Sequence, residues 1–234
     1  MLRLPLDLQL LNTCAALLLL LSFSMLAQRR VVNLVNLLAM QGGLLFVATL
    51  LLAWRTGEFH LFLSALLTLA LKVVGLPFLL HRLIRRLGVY WDTEPLINPS
   101  ATMLLGLLIV IFAFGLAQPI SALASTATRS TIGVAIAVIL LAFLTMITRR
   151  KAMSQVVGFL SMENGLFFGA MSATYGMPMV VELGVALDVL VAMLVLGVFF
   201  FQIREQFDSL DLHNLESLKD SRVLGTGVPL EEEG

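Results

Sequence analysis

Seven long apolar runs divide this chain, at roughly 8–28, 31–54, 59–84, 100–118, 130–148, 153–174 and 179–203. Each approaches the ~20 apolar residues that a helix needs to cross the hydrocarbon of a bilayer. Backbone groups in that medium must bond within their own segment, which favours helices for runs of this length. The punctuation between them is polar: Arg29-Arg30, Arg55-Thr56-Gly57-Glu58, Arg85 to Pro99, Gln118-Pro119 to Arg129, Arg149-Arg150-Lys151, and Tyr175-Gly176-Met177-Pro178. The pattern predicts an all-α integral membrane protein of about seven transmembrane helices. From about residue 204 the chain turns polar. Leu212, Leu215 and Leu218 suit either a short amphipathic stretch or a solvated tail, and residues 225–234 have the composition of a disordered end.

Composition agrees. Of 234 residues, 59% are hydrophobic and 13% charged, with a mean hydropathy of +0.98. Soluble domains run at about 45–50% apolar and about 25% charged, so lipid must cover part of this surface. The net charge is zero, which gives nucleic acid no electrostatic footprint. A single cysteine, Cys14, excludes an internal disulfide, and no Cys/His spacing suits a metal. No cofactor is expected on the chain. The first run lacks a basic leader and is followed by Arg29-Arg30 rather than small residues, so it reads as a retained span.

Lysine and arginine set orientation. One side collects Arg29, Arg30, Arg82, Arg85, Arg86, Arg149, Arg150, Lys151, Arg204, Lys219 and Arg222; the other collects Arg3, Arg55 and Arg129. The expected topology has the N-terminus outside and the C-terminus in the cytoplasm. Trp54 and Tyr175 fall at the predicted outer boundary, while Tyr90 and Trp91 fall in a cytoplasmic loop.

The chain also resembles itself. Met40-Gln41-Gly42-Gly43-Leu44-Leu45-Phe46 aligns with Met162-Glu163-Asn164-Gly165-Leu166-Phe167-Phe168, and an arginine pair precedes each. Ala70-Leu71-Lys72 matches Ala186-Leu187-Asp188. The expected organisation is a three-helix unit over 1–86, a loop and linking helix over 87–128, a second three-helix unit over 129–204, and a tail over 205–234. One linking span would leave the two units parallel, unlike inverted-repeat transporters.

Four ionisable residues fall at membrane depth: Lys72, Glu163, Glu182 and Asp188. Each costs about 2.5–3.5 kcal/mol on insertion scales and so tends to face a bundle interior or a wet cavity. Gln41 and Asn164 are the polar neighbours expected to support them. Three readings stand side by side: a proton relay of groups that titrate together, an ion pair of Lys72 with Asp188 or Glu163 that fixes helix register, and contact with a partner subunit. His60 and His81 fall at opposite span ends and read as interfacial. No nucleophile elbow, zincin pair or phosphate-binding loop is present, so the chain does not read as a self-contained enzyme.

The blocks Val157 to Gly165, Val181 to Asp188, and Leu210-Asp211-Leu212-His213-Asn214-Leu215 with Leu218-Lys219 resemble hydrogenase-4 component E. The C-terminal half is similar to the small membrane subunits NuoK of complex I and MrpC of multisubunit antiporters. The resemblance implies a non-catalytic subunit in the membrane arm of a complex I-like assembly, of the group 4 [NiFe]-hydrogenase or formate hydrogenlyase type. It implies antiporter-like membrane subunits, a quinone-site NuoH-like subunit and a hydrophilic redox module as partners. Any [NiFe] and iron–sulfur centres would be on those partners, in a bacterial or archaeal cytoplasmic membrane. It implies a proton-handling role for Lys72, Glu163 and Asp188, with Glu182 near the outer exit. A cation/proton antiporter subunit and a purely architectural subunit are the alternatives. The sequence departs from the smaller subunits in two places. Leu160, not a glutamate, lies two positions after Gly158, with Glu163 a turn later, and Asp188 replaces a glutamate.

Overall fold

The computed structural model describes residues 6–57, 59–87, 98–123, 129–174, 184, 187, 190 and 191. The regular elements among them are helices: α1 (Leu6–Ala27), α2 (Val31–Thr56), α3 (Phe59–Thr68), a π-helical segment (Leu69–Gly75), α4 (Leu76–Leu87), α5 (Pro99–Leu123), α6 (Arg129–Thr148) and α7 (Ala152–Ala173). Six stretches are long and apolar enough to cross a membrane: Gln9–Ala27, Val31–Thr56, Leu61–Arg86, Pro99–Pro119, Thr131–Thr148 and Ala152–Ala173. They follow the first six apolar runs closely. Most of the seventh run lies outside the described residues, as do Tyr90, Trp91, Tyr175 and the polar tail. Gly184, Leu187, Leu190 and Val191 are helical.

The side chains sort as a lipid solvent demands. Trp54, Phe59, Leu66, Phe78, Leu104, Ile111 and Phe112 are all exposed, as suits a surface covered by lipid or by neighbouring membrane helices. Polar Gln41, Lys72, Glu163 and Asn164 are buried. On α2 the buried positions Val31, Leu34, Val35, Leu38, Gln41, Gly42, Leu45, Ala48, Thr49 and Ala53 recur every three or four residues, giving one inward stripe. That stripe meets α1 and α7, and a shared core of Leu18, Leu45, Ala48, Val138, Phe168 and Met171 joins α1, α2, α6 and α7. Gly165 lets α7 lie close on α6: a Cβ there would stand 2.9 Å from Val138 Cγ1.

The turns are short and differently closed. α2 stops at Gly57, whose φ of 71° suits glycine and whose N–H donates to the Ala53 carbonyl at 2.9 Å. Arg149, in the turn between α6 and α7, is only 4% exposed. Its Nη2 donates to the Met25 and Leu26 carbonyls at 3.2 and 3.1 Å, capping the C-terminus of α1. The charge pattern marks Arg149 as an interfacial cation; the structure gives it this second task.

Two local features go beyond the apolar pattern. The fourth span ends at Pro119 as that pattern expects, and α5 continues past it to Leu123. The Pro119 ring would crowd the carbonyl four residues earlier. That residue is Gly115, and the chain is helical on both sides of the proline. The third span is a single stretch whose centre widens to the π form over Leu69–Gly75, with the Leu76 N–H bonded back to the Leu71 carbonyl. Pro77 follows at once; its missing N–H and its ring both act against the Val73 carbonyl, and a wider turn before it relieves that conflict.

Candidate functional site: a buried polar cluster at mid-membrane

Lys72 lies inside the π segment and is 3% exposed. Eleven residues separate it from the start of its membrane stretch (72 − 61), so its ammonium is far from either surface. Three features hold it. Its Nζ donates to Asn164 Oδ1 at 2.9 Å, a bond that crosses from the third span to α7. The same Nζ stands 5.2 Å from the centroid of the Phe167 ring, within cation–π range. Behind it lies Gly42 of α2, where a Cβ would come to 2.9 Å from Lys72 Cβ and 3.1 Å from its carbonyl carbon and oxygen. Of the pair Gly42-Gly43, Gly42 makes this close approach, while Gly43 faces open space.

Asn164 passes the contact on. Its Nδ2 donates to Gln41 Oε1 at 3.3 Å, and Gln41 Nε2 donates to Ser22 Oγ at 2.8 Å. Ser22 in turn donates to the Leu18 carbonyl at 2.9 Å. All four side chains are 3% exposed or less. The chain therefore links the third span, α7, α2 and α1 through buried polar groups, where an unmade bond is costly. The two self-similar segments meet here. Besides Gln41 with Asn164, Thr49 donates to Met171 Sδ at 3.4 Å.

Glu163 precedes Asn164 on α7 and is equally buried. It is four residues before Phe167, so the two lie one turn apart on a single face. Phe167 carries Lys72 Nζ over its ring and also meets Gly184. The structure thus brings together Lys72, Asn164 and Gln41, and it buries Glu163 next to Asn164 on α7. Asp188 and Glu182 lie outside the described residues. His81 is half-buried and takes up the Pro77 carbonyl with Nδ1 at 2.8 Å. Among the described residues no three His, Cys, Asp or Glu side chains stand together as metal ligands.

Sequence reasoning missed Ser22 and Phe167. Ser22 sits among leucines with nothing in its spacing to mark it off from Ser24, which bonds the Leu20 carbonyl and faces outward. Phe167 is one of 15 phenylalanines and reads as packing.

Fold and cluster together define a polytopic α-helical membrane protein whose bundle encloses a lysine and a carboxylate. The chain belongs to the family that includes the protein Rv0085 of Mycobacterium tuberculosis (strain ATCC 25618 / H37Rv), to which it is 36% identical over 187 residues, 80% of this chain and 85% of that one. Hydrogenase-4 component E of Escherichia coli K12 is a further homologue, 29% identical over 175 residues, 75% of this chain and 76% of the relative. The same component of Shigella flexneri matches equally. No family model matches the chain, and no solved structure does.

Proposed function

We propose that this chain is a non-catalytic membrane subunit of a hydrogenase-type, complex I-like respiratory assembly, and that Lys72 and Glu163 take part in moving protons through it. The homology to hydrogenase-4 component E supports the first half. The observation that carries the second is the burial of Lys72 at mid-membrane, on a helix widened to the π form, with its ammonium bonded to a neutral amide of another helix. A lysine needed only to pin helices could be replaced by a neutral donor at lower desolvation cost. π segments recur at functional sites. Glu163 supplies a carboxylate one turn from the ring that carries the ammonium, and Asp188, with Glu182 toward the outer face, extends the set of membrane carboxylates on the sequence reading. Antiporter-like subunits, a quinone-site subunit and a hydrophilic redox module are the expected neighbours, with the metal centres on those chains.

Bracing is the second reading, favoured by the unbroken hydrogen bonding across four membrane stretches. One experiment separates the two. Lys72→Met, Glu163→Gln and Asp188→Asn are introduced singly into the intact complex, and assembly, redox turnover and proton gradient are read together. A complex that assembles and turns over, but builds less gradient per turnover, supports the relay. Full gradient in all three variants would sink the relay and leave bracing as the role.

A further inference from the structure

The hydrogen bonds leaving Lys72 have a direction. An ammonium group only donates, so Asn164 must turn its oxygen toward Lys72 and its amide N–H₂ away. That fixes Gln41 in turn, oxygen toward Asn164 and nitrogen toward Ser22, and it leaves the Ser22 hydroxyl proton for the Leu18 carbonyl. Each acceptor faces Lys72 and each donor faces away, ending on a backbone carbonyl of α1.

We infer that Ser22, Gln41 and Asn164 are positioning residues, an arm of fixed polarity that holds the Lys72 ammonium and closes the α1 side of the cluster to protons. Carboxamides neither gain nor lose a proton near neutral pH, and the Leu18 carbonyl offers nothing to pass on. A proton leaving Lys72 therefore has no route along the arm. The aligned amide dipoles point their negative ends at the ammonium, which they stabilise where water is excluded. The proton's exchange partners must stand on the other side of Lys72. Among the described elements packed against the π segment, α2 brings Gln41 and Gly42, with its one charged group, Arg55, far off in its last turn, and α7 brings Glu163. The nearest titratable side chain on α4 is His81, nine residues along the chain (81 − 72). The other neighbour, α3, holds His60 at its far end.

The holding half of this inference stands on geometry alone; the closing half rests on the relay reading. Ser22→Ala removes the end of the arm without touching Lys72, and Ser22→Thr keeps the hydroxyl. In the intact complex Ser22→Ala should assemble and turn over normally, with gradient per turnover reduced about two- to tenfold, the scale of one ordinary hydrogen bond in an equilibrium. Ser22→Thr should restore it. Where Lys72→Met loses its gradient, wild-type gradient in Ser22→Ala would overturn the inference. So would a loss as complete as in Lys72→Met, because the arm would then conduct. A second readout is free of proton transport. Thermal midpoints of the purified complex are measured for Ser22→Ala, Lys72→Met and the double variant. Non-additive losses are expected for two residues joined through the arm, and additive losses would refute the joining. Should Lys72→Met keep its full gradient while the losses stay non-additive, the relay reading fails and the arm stands.

Discussion

Gly42 shows how narrow the space around Lys72 is. A methyl group at that position would overlap Lys72 Cβ and crowd its carbonyl, all of them part of the π segment and hard to move. Gly42→Ala should therefore destabilise by about 1–3 kcal/mol, the cost of overpacking a filled site. Gly43→Ala, facing open space, should gain about 0.5–1 kcal/mol from the greater helix preference of alanine. Thermal denaturation of the two variants in one detergent gives the comparison, and equal midpoints would contradict the close approach. At this scale the sequence was informative where chemistry clashed with surroundings. Lys72, Glu163, Asn164 and Gln41 stand out because polar groups are expensive at membrane depth. Ser22 does not, since a serine can satisfy itself on the preceding turn and costs a span little.

The boundaries of the helices were legible because lipid imposes length and apolarity at once, and the first six runs meet α1 to α7 within a few residues. Their interiors were less so. Neither the π segment nor the passage of α5 through Pro119 follows from hydropathy, which registers only how apolar a stretch is. Both turn on a proline, Pro77 just after the π segment and Pro119 inside α5. Arg149 is a third case, read from its charge as a loop residue and found capping α1. Hydrogen bonds to charged groups are the stronger kind, and two are made here, so Arg149→Ala should cost on the order of 3 kcal/mol. Arg149→Lys should recover part of that, having a charge but no planar fork. Arg150→Ala, at an exposed neighbour, should change little. Yield and thermal midpoint of the purified chain test the order; equal loss from Arg149→Ala and Arg150→Ala would deny the cap.

The cap also relates the ends of the bundle to one another. Because Arg149 reaches the last carbonyls of α1, the α1–α2 and α6–α7 turns lie at the same end. The third span starts near Gly57, at the opposite end of α2, and runs back, so Arg82, Arg85 and Arg86 return to the arginine-rich end. Among the described residues eight cations gather there, Arg29, Arg30, Arg82, Arg85, Arg86, Arg149, Arg150 and Lys151, against Arg55 and Arg129 at the other end. A bias of that size in short loops predicts that the richer end faces the cytoplasm. The chain lends itself to a direct test, since its one cysteine, Cys14, is buried. In a Cys14→Ala background, Thr56→Cys and Arg150→Cys each put a single thiol at an exposed position, at opposite ends. A membrane-impermeant maleimide applied to intact cells should label Thr56→Cys at once and Arg150→Cys only after permeabilisation. The reverse pattern would invert the topology and put the basic end outside. Labelling of both in intact cells would mean that the two turns do not lie on opposite sides of the membrane.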